Sequence, residues 1–247
     1  MLRRAQAEAL AAAEPVWHDD WSGLPDGPLI LVANEFLDAL PIRQLLRLPD
    51  GWHERVVALT ADGETLDFGV DSAVSAATAV IPKALRHAPA GSLVELRPAA
   101  LTLAQTLGAR LARQGGLALF IDYGGTQSSC GTTLQALRRH RRHEVLDDPG
   151  EADLTAHVDF AAFAAAAREG GARAWGPVPQ AQFLARLGVA ERESALLARA
   201  TPAQAEAIRS GCRRLIAPDE MGTLFKALAL ADPALPAPSG FAGDHDA

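Results

Sequence analysis

Two stretches of the chain are apolar without alternation: residues 29–33 (LILVA) and residues 117–121 (LALFI). Each is closed by polar residues, Asn34-Glu35 in the first case and Asp122-Tyr123-Gly124 in the second. An unbroken apolar run of that length predicts a strand covered on both faces, as in a parallel α/β sheet. Other segments carry helical spacing. Leu103, Leu107 and Leu111 recur every fourth residue within 99–113, and Gly115-Gly116 follows as a C-terminal stop. Residues 3–13 form a helix by propensity, ended by Pro15, and a short helix is expected over 35–40, ended by Pro41. Asp159 is placed to cap a helix over 160–169, and Thr201-Pro202 opens one over 202–215. Helices are also expected over 180–187 and 190–200.

The β signals fall between these. Residues 43–48 and 52–60 flank Pro49-Asp50-Gly51 and read as a hairpin, with a further strand over 65–70. Residues 93–96 and 172–178 are short strands, and weakly alternating 223–230 (TLFKALAL) is a candidate closing strand. The predicted organisation is an α/β core from 1–41 and 86–125, interrupted by a β-rich insertion over 42–85. A basic loop region (126–160), a C-terminal helical region (161–231) and a Pro-, Gly- and Asp-rich tail expected to fray (232–247) complete it.

Composition narrows the function classes. The 247 residues are 49% hydrophobic, enough to bury a core, and 30 acidic against 23 basic residues give a net charge of −7. A general nucleic-acid binder carries a basic surplus, so nucleic acid is not an expected partner. Cys130 and Cys212, far apart, exclude a disulfide scaffold and a cysteine-rich zinc site and are consistent with a reducing cytosol. No apolar run approaches the roughly 20 residues of a membrane span, and the first residues lack the apolar core of a secretory signal. A cytoplasmic location is expected on these grounds.

Candidate chemistry gathers at the strand ends, where ligands bind in open parallel sheets. On a helix Glu35 and Asp38 would share a face, and two carboxylates on a crevice rim can grip a guanidinium. The plainer alternative is that Asn34 or Asp38 caps the helix and Glu35 is solvated. Asp122 and Tyr123, the only tyrosine, repeat the arrangement at the second strand end. Arg138, Arg139, Arg141 and Arg142 surround His140, with His143 three residues on. A histidine pair on a helix could hold a metal, but no further ligand cluster accompanies it, and no metal is expected. The arginines could meet an acidic partner, phosphate or nucleic acid, a solvated basic face being the commoner explanation. His157 and Asp159 could form an acid–base pair, although a helix cap is the simpler role for Asp159. There is no G-x-S-x-G, no G-x-G-x-x-G and no P-loop.

Five segments, NEFLDALP (34–41), FIDYG (120–124), TLQALRRHRRH (133–143), DPGEADLTAHVDF (148–160) and MGTLFKALAL (221–230), together resemble the MidA-type methyltransferases. They follow the family's order and cover essentially the whole chain. The resemblance implies a Rossmann-like class I methyltransferase sheet, with S-adenosyl-L-methionine as cofactor. It implies a protein substrate methylated on arginine, such as a respiratory complex I subunit. Under it Asn34 lies beside the cofactor's sulfonium, with His18 and Asp19 near the adenine end. Glu35 and Asp38 are then the catalytic candidates that orient a guanidinium, and Asp122, Tyr123, His157 and Asp159 the substrate-binding ones.

Family members begin with a further segment carrying the first two strands, the glycine-rich cofactor loop and an acidic residue for the ribose. Met1 falls after that segment, so the sheet is expected to be N-terminally incomplete, the activity impaired and the edge beside LILVA open to pairing, a homo-oligomer included. Arg97-Pro98 and Gly125 are smaller departures from the pattern. The alternative function is a non-catalytic protein-binding remnant of the family.

Overall fold

A computed structural model describes residues 2–139 and 141–241. The elements are α1 (Leu2–Ala9), β1 (Leu29–Asn34), β2 (Arg43–Leu48), β3 (Gly51–Leu59), β4 (Leu66–Val74), β5 (Leu93–Leu96), α2 (Pro98–Gln114) and β6 (Gly116–Gly125). There follow β7 (Gln135–Arg138), β8 (Arg141–His143), β9 (Asp153–Thr155), β10 (Val158–Asp159), α3 (Phe160–Glu169) and β11 (Arg173–Pro179). Helices α4 (Gln180–Arg186), α5 (Val189–Leu197), α6 (Pro202–Ile216) and α7 (Met221–Leu224) lead to β12 (Phe225–Ala231).

The central sheet has the order β1-β6-β12-β11, and β10 pairs with the far end of β6. Strands β1 and β6 are parallel, from Leu29 opposite Gly116 to Asn34 opposite Ile121. Strand β12 runs antiparallel to both β6 and β11, and all seven of its residues are buried. On one face α2 and α3 set Leu107, Leu111 and Phe163 against Ala118, Phe120, Leu228 and Leu230. These helices cross closely: a Cβ on Gly108 would overlap the Ala167 carbonyl, and one on Gly170 the Gln105 carbonyl. On the other face Val178, Phe183 and Phe241 cover Ala227, Ala229 and Ala231, with Leu117, Leu119 and Ile121 alongside.

The second sheet, β4-β3-β2-β5, is antiparallel and encloses Leu45, Trp52, Ile81 and Val94. The β-rich insertion thus recruits β5, which the sequence places with the core. A third sheet, β8-β7-β9, carries the arginine-rich segment as a hairpin.

Three expectations change. Residues 29–33 are covered on one face only: Ile30 is 85% and Val32 68% exposed, because the layer over β12 and β11 does not reach β1. Residues 35–40 are turn and bend rather than helix. The tail does not fray uniformly, since Phe241 is buried against Phe183 with ring centroids 5.1 Å apart; residues 242–247 lie outside the described residues.

Candidate functional site

The turn after β1 is anchored at the end of β6. One oxygen of Asp122 accepts the backbone N–H groups of Phe36 (3.1 Å), Leu37 (2.9 Å) and Asp38 (3.2 Å). Its other oxygen accepts the N–H of Tyr123 (2.9 Å). Consecutive N–H groups that converge on one anion in this way form a concave nest in a turn. That turn is made at Glu35, which has φ +47, a left-handed conformation that costs a non-glycine residue on the order of 1 kcal/mol. Asn34 and Glu35 are held out at the carboxyl end of β1, both exposed, with the Asn34 amide donating to Glu35 Oε1 (3.3 Å).

Asp38 takes a different place from the one its spacing suggests. It is 6% exposed, its Oδ2 accepts the Tyr123 hydroxyl (2.5 Å), and its Oδ1 is buried without a hydrogen-bond partner. Glu35 and Asp38 therefore do not share a rim; one carboxylate faces solvent and the other faces inward. Asp122, 1% exposed, is likewise a buried anchor rather than a lining group. Tyr123 is buried too, its ring against His157 and Phe225.

Arg97 joins this turn to the segment before α3. Its guanidinium donates to the carbonyl oxygens of Leu37 (3.0 Å), Asp38 (3.2 Å) and Leu40 (2.9 Å) on one side, and to those of Ala156 and His157 (3.1 Å) on the other. A planar fork with five N–H donors suits such a junction, where a lysine's point charge would not. Glu95, two residues earlier, accepts from Gln44 Nε2 (2.8 Å) and from the N–H groups of Thr133 (3.0 Å) and Leu134 (3.2 Å). Neither residue is marked by any spacing in the chain; Arg97 stands out only as a departure from the family pattern, and Glu95 only as a polar residue within a strand.

The electrostatics follow from burial. Desolvation first, and then the Asp38 carboxylate, push Asp122 up to about 6 in spite of its N–H donors. Burial, with the bond to Asp38 second, raises the Tyr123 phenol above its ordinary value. Burial pulls Arg97 down from the usual guanidinium value, opposed by Glu95, Asp122 and Asp38. His157 is lowered, first by burial and then by Arg97 and Lys226 against Glu95, so its imidazole is neutral at pH 7.

Asp159 does cap α3, its Oδ1 accepting the Ala162 N–H (2.9 Å). His157 is fixed through its backbone, its N–H donating to Thr133 Oγ1 (2.8 Å). Both residues line a cleft of about 180 Å³ that also includes Glu95, Cys130 and Thr133. Gly124 lets β10 approach, since a Cβ there would overlap the Val158 carbonyl. The structure thus brings Asn34, Glu35, Asp38, Asp122, Tyr123, His157 and Asp159 into one neighbourhood. His18 and Asp19 are in the exposed segment after α1, with Asp19 ion-paired to Arg3, and no hydrogen bond or ion pair among the described residues joins either to the strand-end cluster. His140 falls outside the described residues, and Arg141–His143 is a strand rather than a helix. Among the described residues no group of His, Cys, Asp or Glu is arranged to hold a metal, and no helix is long and apolar enough to cross a membrane.

Comparison with known proteins bears on this arrangement. The Drosophila melanogaster protein named "Protein arginine methyltransferase NDUFAF7 homolog, mitochondrial" is 34% identical over 217 residues, which are 87% of this chain and 49% of that protein. The Mus musculus protein named "Protein arginine methyltransferase NDUFAF7, mitochondrial" is 35% identical over 218 residues, 87% of this chain and 48% of that one. The chain thus spans about half the length of these curated relatives. A native crystal structure from Burkholderia thailandensis superimposes with a TM-score of 0.79 at 32% identity, covering 98% of this chain and 66% of that one. A second Burkholderia thailandensis structure, with S-adenosyl-homocysteine bound, gives the same TM-score and identity over 98% of this chain and 64% of the other. The curated relatives are named as mitochondrial, which overturns the cytoplasmic expectation; two unpaired cysteines do not discriminate between the two compartments. A family model described as "Putative S-adenosyl-L-methionine-dependent methyltransferase" matches residues 1–178, well over half of the chain. With the Rossmann-like sheet and the strand-end cluster in place, the chain belongs to that S-adenosyl-L-methionine-dependent methyltransferase family.

Proposed function

We propose that this chain carries the strand-end portion of a methyltransferase site and that the methyl acceptor is a protein arginine. One observation carries the reading: a carboxylate, Glu35, is held in a left-handed turn at the carboxyl end of β1 by the grip of Asp122 on the next three N–H groups. The names of the relatives support arginine as acceptor, and the ligand of a structural neighbour supports the cofactor.

The exposed Asn34 amide and Glu35 carboxylate suit S-adenosyl-L-methionine at its sulfonium end. His18 and Asp19 are the candidates for its adenine end, provided Asp19 leaves Arg3. The cofactor supplies an electrophilic methyl group. Glu35 then has two tasks. A guanidinium is protonated at neutral pH, and a carboxylate against it draws the positive charge toward one nitrogen and leaves the other more nucleophilic. The same carboxylate can accept the proton that the nitrogen sheds on methylation. Asp38, Asp122 and Tyr123 act as positioning residues, each fixing the turn that presents Glu35. Neutral His157 and the Asp159 strand end form a wall for the incoming substrate.

The test is calorimetric titration of the folded chain with S-adenosylhomocysteine, followed by methyl transfer to arginine peptides. Saturable binding at micromolar concentrations, with transfer lost in Glu35→Gln, is the expected outcome. A cooperatively folded chain that takes up no ligand would overturn the reading, and unchanged transfer by Glu35→Gln would remove that carboxylate from it.

A further inference from the structure

The arginine-rich segment is a hairpin whose composition works against its own stability. Arg138 and Arg141 are direct cross-strand neighbours, as are Leu137 and Arg142. Like charges directly opposite in a ladder are destabilising. Arg138 is relieved by Asp148 (2.5 Å) and Glu151 (3.4 Å). Arg139, Arg141 and Arg142 are exposed and have no ion pair among the described residues, and Arg139 also sits in the left-handed region at φ +51. Together with Arg138 and His143 they line an open cleft of about 640 Å³. This lies in a protein with 30 acidic and 23 basic residues, so the cluster is a local reversal of the overall sign.

The root of the same hairpin lies at the candidate site. Ala156 donates its N–H to the carbonyl of Asp38 (3.2 Å), and the preceding residue, Thr155, pairs with Gln135, the first residue of β7. From Gln135 to Arg138 the strand rises by about 10 Å at roughly 3.3 Å per residue. An extended peptide with its arginine at the strand ends would pass the guanidinium cluster about three to five residues away. Guanidinium forks bind carboxylates bidentately, so the chemistry that fits is a run of Asp or Glu. Nucleic acid fits less well, because single-strand binders combine a basic groove with aromatic stacking platforms, and no Phe, Tyr or Trp lines this cleft.

We propose that the tip of the β7–β8 hairpin docks an acidic segment of the protein substrate, three to five residues from the arginine to be methylated. The proposal rests on the arginine-methyltransferase reading above. The experiment is fluorescence anisotropy on the 247-residue chain at about 50 mM salt. The probes are labelled fifteen-residue peptides with a central arginine and three Asp residues at the stated distance on either side, with Asn in their place, or with the central arginine changed to Ala. The protein is compared with Arg141→Glu/Arg142→Glu, both exposed positions, after its unfolding transition is shown to match the parent.

The acidic peptide is expected to bind at least tenfold more tightly than the Asn peptide. That preference should vanish in the double variant and shift there to a peptide carrying Lys instead of Asp. Equal binding of acidic and neutral peptides, no peptide binding at all, or a preference untouched by the double variant would overturn the proposal. So would tighter binding of a fifteen-nucleotide single-stranded RNA than of the acidic peptide. The arginine reading is tested separately: if binding depends on the acids and the hairpin but not on the central arginine, docking stands and the arginine site fails. The reverse pattern removes the docking site alone.

Discussion

Replacing Arg97 by Ala is the sharpest perturbation available, because one side chain bridges two segments of the site, which the Ala156 N–H also joins by donating to the Asp38 carbonyl (3.2 Å). Arg97 is 7% exposed, and its guanidinium serves five carbonyl oxygens. Truncation strips the guanidinium donor from the carbonyl of buried Ala156, and an unsatisfied buried polar group costs about 1–3 kcal/mol, while the Leu37 and Asp38 carbonyls keep the N–H groups of Leu40 and Ala156 (both 3.2 Å). It also removes the cation that faces Asp38 and Asp122, whose burial is already unfavourable. Relief from desolvating the guanidinium offsets part of this. Removing one partner of a buried charge network typically leaves a net loss of about 3–5 kcal/mol, a large share of the 5–15 kcal/mol that holds a domain together. Arg97→Lys keeps the charge but not the fork, and about half that loss is expected. Arg43→Ala is the control, since its ion pair with Glu54 lies at the surface and such pairs are worth less than about 1 kcal/mol. The assay is urea unfolding followed by fluorescence of the four tryptophans. If Arg97→Ala costs no more than Arg43→Ala, the junction does not depend on this residue and the account of the turn is wrong.

Three further outcomes are expected. Asp122 has a folded-state value of about 6, above the 3.8 of a free Asp, so its contribution to stability is fully present below about pH 4 and is lost as pH rises through 6. At about 1.4 kcal/mol per pKa unit this amounts to roughly 3 kcal/mol, so the stability difference between the parent and Asp122→Asn should swing toward the parent as pH falls from 7 to 4. A pH-independent difference in urea midpoints would contradict it. Gly124→Ala places a methyl on the Val158 carbonyl and should separate β10 from β6, losing more than about 2 kcal/mol by thermal unfolding. Asp159→Ala should lose only a helix cap, about 1 kcal/mol, and a much larger loss in the same measurement would give Asp159 a second structural role.

Much of this architecture can be read from local pattern. Strand β5 and helices α2, α3 and α6 fall where alternation, four-residue spacing and caps place them, because each is decided by neighbours in sequence. The turn at 35–40 is not, because a carboxylate 84 to 86 residues away collects its N–H groups. The β7–β8 hairpin gave no signal either: an arginine run has no apolar period to read, and its pairing is decided by β9. For the site, the strand-end positions of Asn34, Glu35, Asp122 and Tyr123 were legible as polar closures of apolar runs. Their division of labour was not. Burial separates an outward Glu35 from an inward Asp38 and Asp122, and burial belongs to the tertiary structure. Arg97 was visible only as a departure from the family pattern beside a proline, since its role lies entirely in where five distant carbonyls end up.

The placement of β12 has a consequence for how the molecule comes to exist. It is the last strand in sequence among the described residues, yet it lies between β6 and β11 with every side chain buried. During synthesis β6 and β11 are made well before the strand that joins them, and each waits with an unpaired edge and uncovered Leu, Phe or Trp side chains. Completing the sheet therefore requires the strand synthesised last to enter between two strands synthesised earlier. The interval before it closes is when a chaperone, or another nascent chain, has the best access to those edges.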